Sequence, residues 1–352
     1  MPRSSVLSML EDLGLEEPLS FSCSGLIVTS MRNLKAIILV FVFIGFNAAS
    51  FKAQAQQRKS SDRDSKRIVK MEMRYTLRAP GKTDRVRFLL LVPSDLPYRQ
   101  RIINQKWILP PTKTYKRDGG TEAEWIFNDP KPKIEFGCIF TIEISPYDFS
   151  QRFKDKSKGS DGLESYLKEE KFLEKSSPSI ISLAKVSAPE KETGERLLQS
   201  LFRGTIDNLD KHGFVKDARG ANLALELGGG DCTDFTDVLV TLCRVRGLPA
   251  RHIRGAVASP FARSDTPKHS WAEVYLPRDG WVRLDPFLTK LGKADYKRLK
   301  NNYITFSYDR NDEIGNYWRY WYRGDPITVT ERFDCGHGVF TETIGTAPKK
   351  RG

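Results

Sequence analysis

The sequence predicts an α+β chain in two parts: a β-sandwich-like domain, then a domain in which a helix bearing a cysteine packs on an antiparallel sheet. Three observations predict it. Short β-branched and aromatic runs separated by Pro, Gly and Asp turns fill residues 67–150. A glycine-rich turn then opens a periodic helix near Cys232. Finally, two alternating runs flank Pro277-Arg278-Asp279-Gly280, which reads as a hairpin.

The first segment has a different character. Arg32 and Lys35 precede the apolar run Ala36 to Phe46, and Ala53-Gln54-Ala55 follows. A positive flank, a short apolar run and a small-residue site in that order describe a secretory signal peptide over residues 31–55. The run is shorter than the ~20 residues of a bilayer-crossing helix, so the mature chain is expected to have no stable membrane span and to be secreted, periplasmic or held in the cell envelope. Because the signal begins at Met31, residues 1–30 read as the product of an upstream start, with Val6 to Leu15 patterned as a short amphipathic helix.

Residues 56–66 are polar and charged without an apolar period, as expected of a flexible connection. The runs Val69 to Tyr75, Val86 to Val92, Glu124 to Phe127 and Phe136 to Ile144 supply the strands of the first domain. That domain contains no His and one Cys, Cys138, which suits packing or recognition better than chemistry. Residues 151–189 form a connection, charged from Arg152 to Lys175 and interrupted by Gly159-Ser160-Asp161-Gly162. The second domain is expected over residues 190–345. It begins with a helix on which Leu197, Leu198, Leu201, Ile206 and Leu209 recur at near-helical spacing.

The informative stretch is LELGGGDCTDFTDVLVTLCRVRGLPARHIRG. Gly228 to Gly230 break the preceding turn, Asp231 can cap a new helix, and Asp234 puts a second acid in its first turn. Phe235, Val238, Leu239, Leu242 and Cys243 fall on one face, and Gly247 and Pro249 end the helix. Cys232 therefore stands at a helix N-terminus, where unpaired amides and the helix dipole favour the thiolate, the nucleophilic form of a cysteine. Cys243, on the apolar face, reads as structural.

In KHSWAEVYLPRDGWVRLDP, Ala272, Val274 and Leu276 must share a face with Val282 and Leu284, so paired positions sum to an even number. One such register sets Glu273 opposite Arg283, Tyr275 opposite Trp281 and Trp271 opposite Asp285, with His269 diagonal to Asp285. A carboxylate on one imidazole nitrogen fixes the tautomer and leaves the other to face a thiol. Cys232, His269 and Asp285 are the candidate nucleophile, base and orienting group. His212, His252 and His337 read as structural.

Composition bounds the alternatives. With 39% hydrophobic residues, 11% aromatics and 352 residues the chain can bury sizeable cores. Residues 1–55 hold four basic and four acidic side chains, so the remainder keeps the formal charge of +13. Such an excess favours anionic partners, including acidic protein surfaces or envelope polymers, and no nucleic-acid motif accompanies it. Beyond Cys23, four cysteines remain: Cys138, Cys232, Cys243 and Cys335. Cys138 with Cys335 is the pair to examine for a bridge, although connectivity is not written in sequence. The absence of CxxC pairs, close His/Cys clusters and EF-hand-type loops argues against zinc and calcium.

With these residues in place, the chain resembles the transglutaminase-like superfamily. The resemblance rests on Gly230-Asp231-Cys232 opening a helix, Arg244 to Arg251 (RVRGLPAR), His269-Ser270-Trp271-Ala272-Glu273-Val274, and Gly280-Trp281 to Asp285-Pro286. It covers roughly Glu190 to Asp309, and residues 67–150 resemble more weakly the β-rich domain that often precedes such cores. The resemblance implies a papain-like α+β fold and the triad Cys232, His269, Asp285 without a cofactor. It also implies acyl transfer from an amide through a Cys thioester to an amine or to water, with a protein or peptide as substrate. The backbone N–H of Cys232 is the natural oxyanion donor, whereas Phe214 stands where relatives often place a tyrosine, and a phenyl ring cannot donate. Cross-linker and hydrolase both fit, with access governed by loops such as Ser259 to Lys268. A second class of reading is an inert envelope protein serving a binding or structural role, against which the intact Cys, His and Asp count.

Overall fold

Alternation of apolar and polar residues shapes the first strands. In a computed structural model, the chain is described over residues 66–148, 162–213, 217–258, 267–296, 298–312, 314–315, 317–336 and 338–346. The expected signal peptide at 31–55, the segment before it, residues 151–161 of the expected 151–189 connection, Phe214, loop residues 259–266 and His337 lie outside the described residues. The first strands are β1 Arg67–Arg78, β2 Thr83–Pro93, β3 Gln100–Leu109, β4 Lys113–Arg117, β5 Gly120–Asn128, β6 Lys133–Ile144 and the short β7 Tyr147–Asp148. On β1, Val69, Met71, Met73, Tyr75 and Leu77 are buried while the residues between them are not, as the period of two along a strand requires.

Helices α1 Pro178–Ser187, α2 Gly194–Asn208, α3 Gly220–Glu226 and α4 Cys232–Val245 follow, with the short strands β8 Asp210–Lys211 and β9 Gly229–Gly230 among them. The chain continues through β10 Ala250–Val257, β11 Lys268–Leu276, β12 Gly280–Leu284, α5 Pro286–Lys290, β13 Arg298–Leu299, β14 Tyr303–Ser307, β15 Trp318–Gly324, β16 Thr328–Cys335 and β17 Gly338–Thr346.

The β-rich part is two facing sheets, ordered β17-β16-β1-β6-β3 and β15-β2-β5-β4. Their inner faces meet through aromatic rings: Phe88 of β2 lies 4.9 Å from both Tyr75 of β1 and Phe136 of β6. The aromatic run from Tyr317 to Tyr322 falls within the stretch 190–345 expected as the second domain, and here the structure corrects the sequence. β15 pairs with β2, Trp318 opposite Leu90, and β16 pairs with β1. The last strands of the segment expected to be one domain from 190 to 345 thus complete the sandwich. Trp318 and Tyr320 stack on Phe88, each at 6.3 Å, so the apolar face they need is supplied by the first domain. Alternation specifies a strand and its buried face, but not its partner.

The same pairing excludes the proposed bridge. Cys138 sits opposite Met73 on one side of β1, and Cys335 opposite Met71 on the other. Two strand spacings separate them, about 9–10 Å, beyond the ~7 Å that a disulfide can span. Both thiols are free and buried.

The second core lies between the helices and the sheet β12-β11-β10-β14. α4 is its centre: Phe235, Val238, Leu239, Leu242 and Cys243 are all fully buried, as their spacing predicts. Burying each such aliphatic or aromatic side chain contributes about 1.5–3 kcal/mol, and Gly247 (φ 75°) ends the helix. The hairpin has the expected register, with Glu273 opposite Arg283 and Tyr275 opposite Trp281. Leu276 faces Gly280, whose φ of 74° closes a three-residue turn that a Cβ would strain. Among the described residues, no helix is long and apolar enough to cross a membrane.

Candidate active site

Cys232 owes its position to the local chemistry of its turn. The Asp231 side chain accepts from Thr233 N at 2.8 Å, and Asp231 N donates to Asp234 Oδ2 at 2.9 Å, forming a capping box. Arg219 Nη2 donates to the same oxygen of Asp234 at 2.6 Å, so a cation balances the buried acid of the first turn. A Cβ at Gly230 would run into the Asp234 carboxylate, which is why glycine precedes the cap. Cys232 itself is the first residue of α4 and is partly exposed, unlike the fully buried Cys243.

His269 comes from the start of β11 and Asp285 from the end of β12. Strand pairing stops at Ala272 opposite Leu284. Asp285 then leaves the sheet, placing Oδ1 on Leu288 N at 2.8 Å to cap α5, with Pro286 at the first helical position. Oδ2 faces His269 Nε2 at 2.7 Å. Burial alone would push His269 down, but the charges of Asp285 and then Cys232, with a hydrogen bond from each, outweigh it and raise the imidazole to about 10. The three residues singled out in the sequence therefore converge on one imidazole, which meets Asp285 through Nε2.

Sequence reasoning did not find the residues that surround this cluster. Tyr303 of β14 donates to Asp285 Oδ2 at 2.7 Å, and the Tyr317 hydroxyl donates to the backbone oxygen of His269 at 3.0 Å. Lys268 pairs with the buried Glu331 of β16, which also accepts from Tyr75 at 2.6 Å. The returning strands thus brace the base from behind. Only side-chain reach reveals these bonds, since a tyrosine on an alternating strand reads equally as core.

Two motif positions prove structural. Arg251 binds Glu273 Oε2 through Nε at 3.0 Å and Nη2 at 2.6 Å, and its guanidinium carbon lies 4.0 Å from the Trp281 ring and 3.6 Å from that of Tyr308. Glu273 also receives Arg99 and Arg283. Burial lowers both Arg251 and Arg283 to about 10. His252 is buried against Asp237 at 2.7 Å, with Arg310 on the same carboxylate, and burial outweighs that charge to lower the imidazole to about 4. It is neutral at ordinary pH, as a structural histidine should be. His212 N donates to Gly230 O at 2.9 Å, holding β8 beside the turn that precedes Cys232. Among the described residues, no group of three or more His, Cys, Asp or Glu side chains is placed to hold a metal ion.

Comparison with known proteins finds a match over part of the chain. The family model of the Transglutaminase-like superfamily matches residues 183–286, the stretch that holds Cys232, His269 and Asp285. These residues match a transglutaminase-like core. The chain shares 32% identity over 68 residues with the uncharacterized protein YebA of Bacillus subtilis, covering 16% of this chain and 9% of that protein. The match thus spans about a tenth of the curated relative. Among solved structures, a candidate cysteine protease from Cytophaga hutchinsonii superposes with a TM-score of 0.58 at 15% identity, covering 81% of this chain and 93% of that one. The periplasmic domain of TgpA from Pseudomonas aeruginosa overlaps more loosely, at a TM-score of 0.34 and 15% identity over 60% of this chain and 91% of its own. The fold is a papain-like transglutaminase core with a β-rich region before it.

Proposed function

We propose that this chain is an exported thiol enzyme that acts on amide or peptide bonds through a thioester on Cys232. The observation that carries the reading is His269, buried and bonded through Nε2 to Asp285 Oδ2 at 2.7 Å, where the charges of Asp285 and Cys232 outweigh burial and raise the imidazole to about 10. An imidazolium so held favours an anion on the neighbouring sulfur, as does the N-terminus of α4.

In the first half-reaction the Cys232 sulfur attacks the amide carbon, and the carbonyl oxygen takes the negative charge. The Cys232 N–H lies in the first turn of α4, where helix amides lack intrahelical acceptors, and is the natural donor to that oxygen. As the tetrahedral adduct collapses, the C–N bond breaks, and His269 gives its proton to the departing nitrogen, which leaves as ammonia or an amine. His269, now neutral, accepts a proton from the incoming amine or water as that nucleophile attacks the thioester and expels the sulfur. Asp285 holds the ring throughout. Its substrate is a protein or peptide, in keeping with the +13 charge for acidic envelope-associated surfaces. Export rests on the pattern of residues 31–55, and N-terminal sequencing of the secreted protein at a site other than the Ala55–Gln56 region would remove it.

The test is incubation with a glutamine-containing protein and a labelled primary amine, followed by analysis of label and of peptide ends. Incorporation dependent on Cys232 and His269 assigns a transferase, and cleavage without incorporation assigns a hydrolase. If neither depends on Cys232 across a broad set of proteins, the enzyme reading is abandoned.

A further inference from the structure

Asp285 is held by more than the imidazole it orients. Tyr303 lies at the start of β14, opposite Val257 of β10, and is 3% exposed. Its hydroxyl reaches Asp285 Oδ2 at 2.7 Å, the same oxygen that His269 Nε2 meets at 2.7 Å, while Leu288 N occupies Oδ1 at 2.8 Å. The phenol ring is fixed in turn, edge-on to Trp271 at 5.1 Å and to His269 at 6.3 Å. Donors from three separate elements therefore meet one carboxylate that is 1% exposed.

We propose that Tyr303 is a positioning residue for the thiol–imidazole pair, fixing the orientation of Asp285 and taking a share of its charge. This rests on the reading of Cys232, His269 and Asp285 as the reacting set. Two donors on one oxygen compete, so the phenol weakens the hold of Asp285 on the imidazolium and lets His269 release its proton to a leaving nitrogen more readily. The titratable and charged groups that face this cluster are Cys232 from α4, Arg283 from β12 and Tyr317 from the segment before β15. None of them is a third donor to Asp285 Oδ2 among the hydrogen bonds described.

The test is the pH dependence of Cys232 alkylation by iodoacetamide in the full chain, where formation of the ion pair and loss of the imidazolium proton appear as a lower and an upper step. In Tyr303→Phe, which keeps the ring and removes the donor, the upper step should move to higher pH by roughly half a unit to one unit. Replacing Tyr303 with 3-fluorotyrosine keeps the volume and strengthens the donor, and it should move the step down. With substrate, the Phe variant should lose turnover several-fold with KM unchanged. An upper step that stays put or moves the opposite way in these variants overturns the proposal, whereas core packing alone predicts no shift. If the Phe variant fails to fold, the fluorotyrosine protein decides. A wild-type protein whose profile lacks the ion pair, or keeps it in His269→Ala, overturns the triad and this inference together; an intact wild-type profile with unmoved variants removes Tyr303 alone.

Discussion

Glu273→Gln should destabilise the protein without touching its chemistry. The Glu273 side chain is fully buried and gathers three guanidinium groups, from Arg99, Arg251 and Arg283. Removing one partner of a buried ion pair costs ~3–5 kcal/mol, because the remaining charge stays buried without compensation. The amide oxygen of Gln still accepts a hydrogen bond, and Trp281 and Tyr308 still flank Arg251 at 4.0 and 3.6 Å, so the lower end, about 3 kcal/mol, is expected. An unfolding entropy of about 2.1 cal/mol/K per residue makes each kcal/mol worth roughly 1.5–2 °C in a chain longer than about 250 residues, so the melting temperature should fall by roughly 5 °C. Thermal unfolding followed by circular dichroism measures the loss, and alkylation of Cys232 in the folded variant should proceed at the wild-type rate. A loss below about 1 kcal/mol, or wild-type stability with an unreactive Cys232, would refute the assignment of Arg251 and Glu273 to structure.

Three further outcomes are expected. Because His269 is raised above its unfolded value, the stability it contributes should be complete below about pH 6.5 and disappear as pH rises through about 10; urea titrations of wild type and His269→Gln that differ by a constant amount from pH 6 to 10 would contradict this. His252, lowered to about 4, has the opposite sign: its contribution is present above about pH 6.5 and is lost as pH falls toward 4, so His252→Gln should show a flatter stability profile in that window, and an unchanged slope would count against it. Under oxidising conditions Cys138 and Cys335 should stay free, each on its own side of β1; an intact mass 2 Da below the reduced value, with peptide mapping to those two residues, would disprove the sheet order.

Much of the site could be read in the sequence because its constraints are local. Asp231 and Asp234 announce the start of α4 by their spacing, and the apolar face from Phe235 to Cys243 announces its buried side. The hairpin register followed from parity, since a slip of one residue would send Val274 and Val282 to opposite faces. What could not be read depends on distant pairings. Nothing in the alternation of β15 and β16 says that Leu90 and Met71 await them across the chain, and so the bracing of Lys268 by Glu331 and of His269 by Tyr317 was hidden. The role of Tyr303 was hidden too, because its bond to Asp285 depends on how β14 lies beside β10. The motif positions Arg251 and Glu273 were recognised, yet their role as buried cement emerges only with Arg99, which the sandwich contributes.

The central claim is an acyl group carried on one sulfur. Intact-mass analysis after brief exposure to an activated ester and acid quench tests it most directly. The account predicts one acyl adduct on Cys232 that hydroxylamine removes, absent in Cys232→Ser and strongly slowed in His269→Ala. No adduct on Cys232, or one that forms equally fast without His269, would contradict it.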